Sequence, residues 1–393
     1  MGERMKRVVM NERPDWKADA EACGFTIHSM YGERYWDERH AYVFTLEEIE
    51  TRLEAPSAEL LEMCYAAVER IASDEELMRR MAIPSAYHDA VQRSWRNHEH
   101  DLYGRFDLSY DGNGPAKLLE FNADTPTSLF ESAVFQWRWL EDMKQRGELP
   151  SSADQFNSVH ERLIDAIRIL AAPSGHMHFA GMLESEEDLV TLNYLVDCAA
   201  QAGCKAKLIA MPDIGVDDEH RLIDLQDEPI DCLFKLYPLE DMVREPFGRH
   251  LPLTPTRVIE PLWKLTLSNK GLLPVLWDMF PGHENLLPAY FEDDTRISDL
   301  DERYVRKPLL SREGANVTLV NHEAGAGIYQ VEGPYGEEGY IRQAMHLLPR
   351  FGDDWTVIGS WVVAGQPAGI GIREDDTPIT RDTSRFVPHY IEG

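Results

Sequence analysis

The first third of the chain shows the apolar spacing of helices. Between Thr45 and Ala72 apolar residues recur every three or four positions, and Pro56 is expected to divide this stretch into two helices. A further helix is predicted from about Ser85 to His98, and another from Asp124-Thr-Pro-Thr-Ser128, where a proline falls near the first turn. The region up to about residue 150 is therefore predicted to be largely helical.

Two stretches between these helices alternate apolar and polar residues in the manner of β-strands. They are Leu102–Tyr110 and Ala116–Phe121, and Asp111-Gly-Asn-Gly114 separates them. Alternating strands on either side of such a turn are typical of a β-hairpin. The sequence thus predicts a hairpin over about residues 102–122.

The middle of the chain alternates helices with apolar runs. A helix over Gln155–Ala172 precedes a strand, a helix, a strand and a third apolar run, over Met177–Leu183, Glu186–Gln201, Lys205–Met211 and Ile230–Leu236. Strand, helix and strand at this spacing predict a small parallel α/β layer. No GxGxxG follows its first strand, so a dinucleotide site there is unsupported.

The last part, from about Pro252, is predicted to be mostly sheet. A helix is expected near Asn269–Phe280, and the strands that follow it are predicted over Tyr304–Leu309, Asn316–Val320, Gly339–Gln343, Trp355–Val363 and Gly369–Arg373. The chain is therefore expected to be of mixed α+β and α/β class. We divide it into three regions, 1–150, 151–250 and 251–393.

The chain is strongly acidic, with 39 Lys and Arg against 69 Asp and Glu among 393 residues and a formal charge of −30. No block of basic residues offsets this charge, so neither a nucleic acid nor a membrane surface is an expected partner. The longest apolar stretches fall well short of the ~20 residues of a membrane span, and no signal peptide opens the chain. The five cysteines are scattered without a CxxC pair, which favours a cytoplasmic protein.

Four polar residues of the predicted hairpin are spaced to meet on one face: Arg105, Asp107, Glu120 and Asn122. Side chains two positions apart share a face of a strand, and an even-numbered loop would place Arg105 directly across from Glu120. Two carboxylates and an amide oxygen suit a hard cation such as Mg²⁺. An exposed hairpin face with a cross-strand ion pair is the alternative interpretation.

Other motifs carry positive charge. Lys307 lies on a predicted strand that runs into a turn with Gly314, an arrangement that could clamp phosphate, although the Walker order GxxxxGK[ST] is absent. Arg373 ends the strand Gly369-Ile-Gly-Ile-Arg373, whose two glycines on one face would allow a ligand close to the backbone. Lys270 opens a helix and could reach an anion. Each of these residues could also be an ordinary surface residue. The motifs HExxH and GxSxG and a spaced Cys/His zinc set are all absent.

Four motifs, in this order, resemble the glutathionylspermidine synthase family: Arg105-Phe-Asp107, Leu118-Leu-Glu-Phe-Asn-Ala-Asp-Thr-Pro-Thr127, Lys307-Pro-Leu-Leu-Ser-Arg-Glu-Gly-Ala-Asn316 and Gly369-Ile-Gly-Ile-Arg-Glu374. The likeness covers nearly the whole chain and is greatest to the stand-alone bacterial members described as acid–amine ligases. It implies an ATP-grasp-like synthetase fold in a permuted order, in which a magnesium-binding hairpin precedes a nucleotide-binding region at 251–393. The family's amidase activity is not expected, because the synthetase-like region starts almost at Met1.

The resemblance also implies roles for individual residues. Asp107, Glu120 and Asn122 would hold Mg²⁺. The residues that would contact ATP are Arg105, Lys270, Lys307, Glu313, Gly314, Arg342, Gln343, Ala344, Met345 and Arg373. Of these, Arg105 and Arg373 would be catalytic. The residues that match substrate pockets are Thr125, Glu184, Glu187 and Asp382. A glycine-bearing lid over residues 325–339 would exclude water.

The implied activity is an ATP-dependent ligation of small molecules. A substrate carboxylate would attack the γ-phosphate to give ADP and an acyl phosphate, and an amine would then form an amide and release phosphate. Glutathione and a polyamine are the candidate acid and amine. Two alternatives remain at this point: a non-catalytic ATP-binding regulatory protein on a ligase fold, and a sugar hydrolase that uses two carboxylates without ATP.

Overall fold

The structure is a computed structural model that describes residues 4–171, 173–300, 302–321 and 327–393. The α-helices of this part of the chain are Trp16–Ala22, Leu46–Glu48, Ala55–Ala72, Glu75–Arg80, His88–Arg96, Gln136–Gln145, Val159–Leu170, Glu186–Gln201, Leu239–Met242 and Leu272–Met279. Wider π-helical turns occupy Ile49–Glu54 and Glu131–Phe135. Short 3₁₀ segments occupy Ser85–Tyr87, Met211–Asp213, Gly248–His250, Leu262–Thr266 and Thr295–Asp299.

Pro56 does not divide its helix, contrary to the prediction. The segments Leu46–Glu48, Ile49–Glu54 and Ala55–Ala72 follow one another without a break. A proline inside a helix removes one N–H and crowds the preceding turn. Here the π-helical turn just before Pro56 widens the backbone, and the proline occupies the first turn of Ala55–Ala72. The helix therefore accommodates the proline and continues.

The helix predicted from Asp124 begins later, at Leu129. Residues 124–128 form a loop instead, in which Ser128 has a φ of +69°. The Asp124 carboxylate accepts a hydrogen bond from the distant backbone N–H of Leu239 (2.7 Å), so a tertiary contact takes the group that was expected to start the helix. This loop follows directly after the second hairpin strand, which places it beside the hairpin face.

The predicted hairpin forms, and it belongs to a larger antiparallel sheet that we call the hairpin sheet. Its strands pair in the order Arg385–Val387, Gln366–Asp375, Asp354–Val363, Tyr103–Ser109 and Lys117–Asn122, and Arg350–Phe351 pairs with Asp354–Val363. The hairpin from the first third of the chain is thus joined to strands from its last tenth. All of the strand predictions in this sheet are confirmed.

The hairpin register differs from the prediction. Arg105 pairs with Asn122, and Asp107 pairs with Glu120. The connecting loop, residues 110–116, is odd-numbered, and a β-bulge beyond Asp107 inserts Leu119 into the second strand. The expected Arg105–Glu120 pairing is therefore wrong. The four polar side chains still share one face, because directly opposed residues point the same way.

A second antiparallel sheet is formed by Ala289–Phe291, Tyr340–Ala344, Arg303–Pro308, Thr318–Asn321 and Gly327–Gln330, paired in that order. The strands expected near 304–309, 316–320 and 339–343 are confirmed within it. Of the expected lid at 325–339, residues 325 and 326 lie outside the described residues, and residues 327–330 form the edge strand.

The predicted parallel layer is confirmed as a four-stranded sheet. Its strands pair in the order Arg257–Ile259, Cys232–Leu236, His176–Gly181 and Lys205–Ala210. Lys235, on a central strand of this sheet, is fully buried and pairs with Asp124 of the loop beside the hairpin. This ion pair joins the parallel sheet to the loop that follows the hairpin.

Smaller sheets and two large apolar cores complete the fold. A three-stranded sheet contains Lys6–Val9, His40–Phe44 and His389–Ile391, and short pairs join Ser29–Met30 to Glu33–Arg34 and Gly215–Val216 to Leu222–Ile223. One core packs the helix Ala55–Ala72 against the hairpin sheet, and the other packs the helices Val159–Leu170 and Glu186–Gln201 on the parallel sheet. Within the described ranges, no helix combines the length and the apolar character that crossing a membrane requires.

We expect Lys235→Met to lower the free energy of unfolding by about 3–5 kcal/mol, because Asp124 would stay buried without a cation. Urea denaturation followed by tryptophan fluorescence measures this. The double variant Lys235→Met/Asp124→Asn should recover part of the loss, since it removes the unpaired charge. Arg168→Met, which breaks an exposed pair with Asp165, is the control and should change little. Equal effects of Lys235→Met and Arg168→Met would contradict the prediction.

Candidate active site

The four hairpin residues meet in one charged cluster. Arg105 donates from Nε to Asp107 Oδ1 (2.6 Å) and from Nη2 to Oδ2 (3.1 Å), and Arg373 donates to the same Oδ2 (3.3 Å). Glu120 pairs with Lys270 (3.2 Å) and accepts a hydrogen bond from the Asn122 amide (3.3 Å). Each carboxylate of the hairpin thus has at least one cation beside it.

Arg105 lies across the sheet, and a glycine makes room for it. Gly359 is paired with Asp107 on the neighbouring strand, and a Cβ there would lie only 2.6 Å from the Cδ of Arg105. The Arg105 guanidinium stands over the Trp361 ring and donates to the Thr127 carbonyl (2.5 Å). Arg105 is 5% exposed, so these contacts hold its guanidinium in one position.

Lys307 reaches the hairpin from the second sheet. Its Nζ donates to the Leu119 carbonyl (2.7 Å) and to Gln343 Oε1 (2.8 Å). The β-bulge gives Leu119 no opposite partner in the hairpin, which leaves its carbonyl free to accept this bond. Lys307 is therefore positioned by an irregularity in another strand.

Charge and burial compete at these groups. Burial alone would raise the pKa of Glu120, but Lys270 and Lys307 outweigh it and lower this pKa to about 2. Burial lowers the pKa of Lys307 to about 8, against the opposing effect of Glu120. Burial, and then the neighbouring charge of Arg105, lower the pKa of Arg373 from its ordinary value. The cluster thus holds an ionised carboxylate among cations that are short of solvent.

The cluster forms one end of a cleft between the hairpin sheet and the second sheet, about 1120 Å³ in volume when its open mouth is included. Its other end is apolar and is formed by Val305, Val317, Leu319, Met345, Leu348 and Ile379. The remaining predicted residues that line it are Thr125, Glu313, Gly314, Gln343 and Ala344. A cleft with one apolar end and one cationic end suits a ligand that is aromatic at one end and anionic at the other.

The turn at Glu313 and Gly314 has a left-handed backbone, with φ values of +54° and +71°. It packs closely on the neighbouring segment, because a Cβ on Gly314 would lie 2.4 Å from Ile379 Cγ2. Glycine is therefore required there for two reasons, the positive φ and the lack of space for a Cβ beside Ile379. The turn lies against the cleft wall that contains Ile379.

The space over Gly369 and Gly371 is filled by the protein itself. A Cβ on Gly369 would lie 2.9 Å from the Phe156 carbonyl oxygen, and one on Gly371 would lie 2.5 Å from Ser132 Oγ. The expectation that these glycines admit a ligand is therefore wrong, because helix-bearing segments pack against that face. Arg373, two residues further along the strand, does line the cleft.

Five predicted residues do not line this cleft, namely Lys270, Glu184, Glu187, Arg342 and Asp382. Arg342 lies on the opposite face of the second sheet, where it pairs with Glu292 (3.1 Å) and stands over the Tyr304 ring. Its neighbour Gln343 faces the cleft, as strand alternation requires. Glu184 is exposed. The resemblance alone could not separate Arg342 from Gln343, since it covers both.

Two of the predicted substrate residues, Glu187 and Asp382, interact electrostatically with charged groups of the site. Burial and the negative charges of Glu131 and Glu313 raise the pKa of Glu187 from 4.5 to about 8. Burial, and then the charge of Asp382, raise the pKa of Glu313. This acidic side of the site is suited to a cationic group.

Sequence reasoning missed several residues of the site. Arg312 lines the cleft and bonds to Thr125 and Glu240, and the Thr127 carbonyl holds Arg105. Glu131 is 2% exposed and interacts with Glu187. Arg312 stands inside a motif that was singled out, so its charge was a usable signal. No signal in the sequence pointed to Glu131, because its position on a helix resembles that of any solvated carboxylate.

The donor set fits a magnesium ion. Nowhere in the described ranges do three or more His, Cys, Asp or Glu side chains form a metal-binding group. The hairpin instead offers Asp107 and Glu120 as directly opposed carboxylates, with the Asn122 amide beside them. Mg²⁺ commonly uses one or two carboxylates and takes its other ligands from water and phosphate. Each carboxylate oxygen can accept more than one partner, so Asp107 and Glu120 can ligate a cation and keep their basic neighbours.

Comparison with known proteins places the chain in a family of ligases. The chain matches, over residues 7–392, the family described as glutathionylspermidine synthase preATP-grasp. It belongs to this family, so the resemblance in the sequence is confirmed.

Named relatives agree with the class. The chain is 42% identical to a Haemophilus influenzae protein named "Putative acid--amine ligase", and the match covers 98% of this chain and all of that protein. It is 27% identical to trypanothione synthetase of Crithidia fasciculata and 26% identical to the bifunctional glutathionylspermidine synthetase/amidase of Escherichia coli. Those matches cover 88% and 90% of this chain, and 56% and 60% of the two relatives. The expectation of a ligase is therefore confirmed.

A solved structure has a similar fold at low identity. It is a glutathione synthetase-like effector from Globodera pallida, with a TM-score of 0.58, 11% identity and coverage of 97% of this chain and 98% of that one. This likeness concerns the fold alone. The mixed α/β architecture predicted from the sequence is confirmed by the several sheets and helices described above.

We expect Glu187→Gln to remove a pH-dependent loss of stability. A carboxyl whose pKa is raised by folding stays protonated in the folded protein while the unfolded chain releases its proton. Folding is therefore weakened progressively between about pH 4.5 and 8. Glu187→Gln should be more stable than the unmodified protein at pH 8 by a few kcal/mol, with a smaller difference at pH 4.5, since one pKa unit corresponds to about 1.4 kcal/mol.

Urea denaturation at several pH values measures this difference. Glu184→Gln is the matched control, because it removes the same charge from an exposed position three residues away. A pH-independent difference between Glu187→Gln and the unmodified protein would contradict the prediction, as would an equal response in the control.

Proposed function

We propose that this protein is an ATP- and Mg²⁺-dependent acid–amine ligase that joins a peptide-like carboxylate to an amine through an acyl phosphate. The observation that carries the proposal is the meeting of Arg105, Arg373 and Lys307 around the Asp107 and Glu120 carboxylates in a cleft that also has an apolar part. Family membership supports the reaction class. Glutathione and a polyamine such as spermidine are the candidate substrates, by analogy with the named relatives.

ATP would lie along the cleft between the two antiparallel sheets, as in ATP-grasp enzymes. The adenine suits the apolar end near Val305 and Ile379, and the segment Gln343–Met345 would lie beside it. The triphosphate suits the cationic end, where Lys270, Lys307 and the turn after Arg312 line the cavities. On this proposal the fold is a permuted ATP-grasp, with the hairpin ahead of the nucleotide-binding region in the chain.

Mg²⁺ would be held by Asp107, Glu120 and Asn122, and it would supply positive charge to the phosphate oxygens. The low pKa of Glu120, which Lys270 and Lys307 set against the effect of burial, keeps one ligand ionised at neutral pH. The bidentate bond from Arg105 fixes the orientation of Asp107. The basic neighbours thus prepare both carboxylates.

The chain's own groups would act mainly by position and charge. A substrate carboxylate oxygen attacks the γ-phosphorus, the bond to the ADP oxygen breaks, and an acyl phosphate forms. Arg105 and Arg373 stand where they can neutralise the transferring phosphoryl group, and Lys307 can bind the phosphates of ATP. The amine nitrogen then attacks the acyl carbon, inorganic phosphate leaves, and the amine loses a proton. No covalent bond to the protein is required.

The acidic side of the site would bind the amine. Glu187, Glu313 and Asp382 interact electrostatically with one another or with neighbouring carboxylates. A protonated polyamine would neutralise them, and the strong negative charge of the whole chain would attract it. Thr125, which lines the cleft, would contact the acid. Of the site residues predicted from the sequence, Arg342 and Glu184 are not favoured by the geometry for contact with a ligand.

We expect Glu120→Ala to lower metal-dependent ADP formation by at least about 100-fold, because it removes a metal ligand and the counter-charge of Lys270. Circular dichroism should show an unchanged fold. Glu62→Ala, at an exposed glutamate of the helix Ala55–Ala72, should keep full activity. Full turnover by Glu120→Ala would reject the assignment of the metal site.

A screen of small peptides against amines, read by ADP release and product mass, tests the reaction itself. We expect one acid–amine pair to give a product whose mass is that of the acid plus the amine minus water. Tight nucleotide binding with no stimulated ADP release by any pair would favour the non-catalytic regulatory protein instead.

A further inference from the structure

Arg312 connects three parts of the site. Its Nη1 donates to Thr125 Oγ1 (2.5 Å), and its Nη2 donates to Glu240 Oε1 (2.6 Å). Arg312 lines the main cleft and also a smaller polar cavity on the other side of Asn122 and Thr125. Its guanidinium therefore stands in the wall between the two cavities.

The loop that receives Arg312 is held by several contacts, among them the bond from the Leu239 N–H to Asp124 and the one between Tyr35 and Ser128. Three further contacts join it to other parts of the site. Asp124 pairs with buried Lys235 of the parallel sheet, Thr125 accepts from Arg312, and the Thr127 carbonyl accepts from Arg105. The first and last anchors come from the parallel sheet and the hairpin itself. The bond to Arg312 is the one among these three that reaches the 311–316 segment.

Arg312 directly precedes the left-handed turn of Glu313 and Gly314. That turn packs closely on Ile379. Because Arg312 is the residue next to the turn, a ligand that orders or shifts the turn also moves the backbone of Arg312. The guanidinium is planar and its donors are fixed relative to one another, so it keeps its hydrogen bonds to both acceptors only while the whole group keeps its orientation. Movement of the turn should therefore change the hydrogen bonds from Arg312 to Thr125 and to Glu240.

We propose that Arg312 is a positioning residue that couples nucleotide binding at the Glu313–Gly314 turn to the order of the acid-binding loop 124–128. The inference rests on the proposed function for its assignment of ATP to the turn and of the acid to the loop. The consequence is an order of events: bound nucleotide fixes the loop that holds the acid, so the carboxylate meets the γ-phosphate in a prepared site. Because coupling between sites is reciprocal, the acid also strengthens nucleotide binding.

The chain offers a matched control for this contact. Arg244 pairs with Glu338 (2.7 Å), and this pair also joins the chain just after helix Leu239–Met242 to the 331–339 segment of the second sheet region. Arg244 is 48% exposed and does not line the main cleft. Loss of Arg244 thus removes a bridge between similar segments and leaves Thr125 and the turn untouched.

Hydrogen–deuterium exchange of the intact chain, with and without Mg²⁺ and the ATP analogue AMP-PNP, tests the coupling without knowledge of the acid. In the unmodified protein the nucleotide should slow exchange about fivefold or more both at residues 313–316 and at 124–128. In Arg312→Ala the protection at 313–316 should remain and that at 124–128 should be lost. Arg244→Ala should behave as the unmodified protein.

A second variant keeps the test decisive if Arg312→Ala folds poorly or binds no nucleotide. Thr125→Val removes only the acceptor hydroxyl and keeps the Arg312–Glu240 pair, and it should lose the protection at 124–128 in the same way. Full protection of the loop in Thr125→Val or Arg312→Ala overturns the inference, and so does an equal loss in Arg244→Ala. Protection of the turn alone in the unmodified protein also overturns it. Failure of the unmodified protein to bind the nucleotide at all would instead overturn the proposed function.

Discussion

The hairpin carboxylates and the cations that surround them are the constraint on which the site depends. Asp107 is 4% exposed and Glu120 stands opposite it, so two negative charges share a poorly solvated face. Such a pair is costly unless positive charge lies beside it. The cations come from four separate segments of the chain, as Arg105, Lys270, Lys307 and Arg373. Of the four cations, Lys307 is the one on the second antiparallel sheet, and its bond to the Leu119 carbonyl of the hairpin links the two sheets at this cluster.

The same balance explains how a stable fold can also be a reactive site. Lys307 donates hydrogen bonds to the Leu119 carbonyl and to the Gln343 side chain, and burial lowers its pKa to about 8. An incoming phosphate would restore the solvation that burial removed, so binding energy is available where charge is transferred. Under the proposed function, Lys307 and Arg373 are short of solvent where phosphate would bring negative charge.

Periodicity predicted the elements well and their junctions poorly. The strands and helices of the middle and last regions lie within a few residues of their predicted limits, since burial of one face enforces alternation or helical spacing. Two of the errors are at Pro56, where a π-helical turn accommodates the proline, and at Asp124, whose carboxylate accepts a bond from a distant N–H. In both cases a non-local contact or a local widening of the backbone overrode a rule based on neighbours in sequence.

The sequence by itself determined which residues could do the chemistry. Alternation along the two strands placed Arg105, Asp107, Glu120 and Asn122 on one face, and this survives any change of register by two residues. Only the tertiary structure decided which cation meets which carboxylate, that Gln343 and not Arg342 faces the cleft, and that Arg312 reaches Thr125. The physical reason is that side-chain direction along a strand is a local property, whereas register, bulges and contacts between segments far apart in the chain depend on packing that no local pattern records.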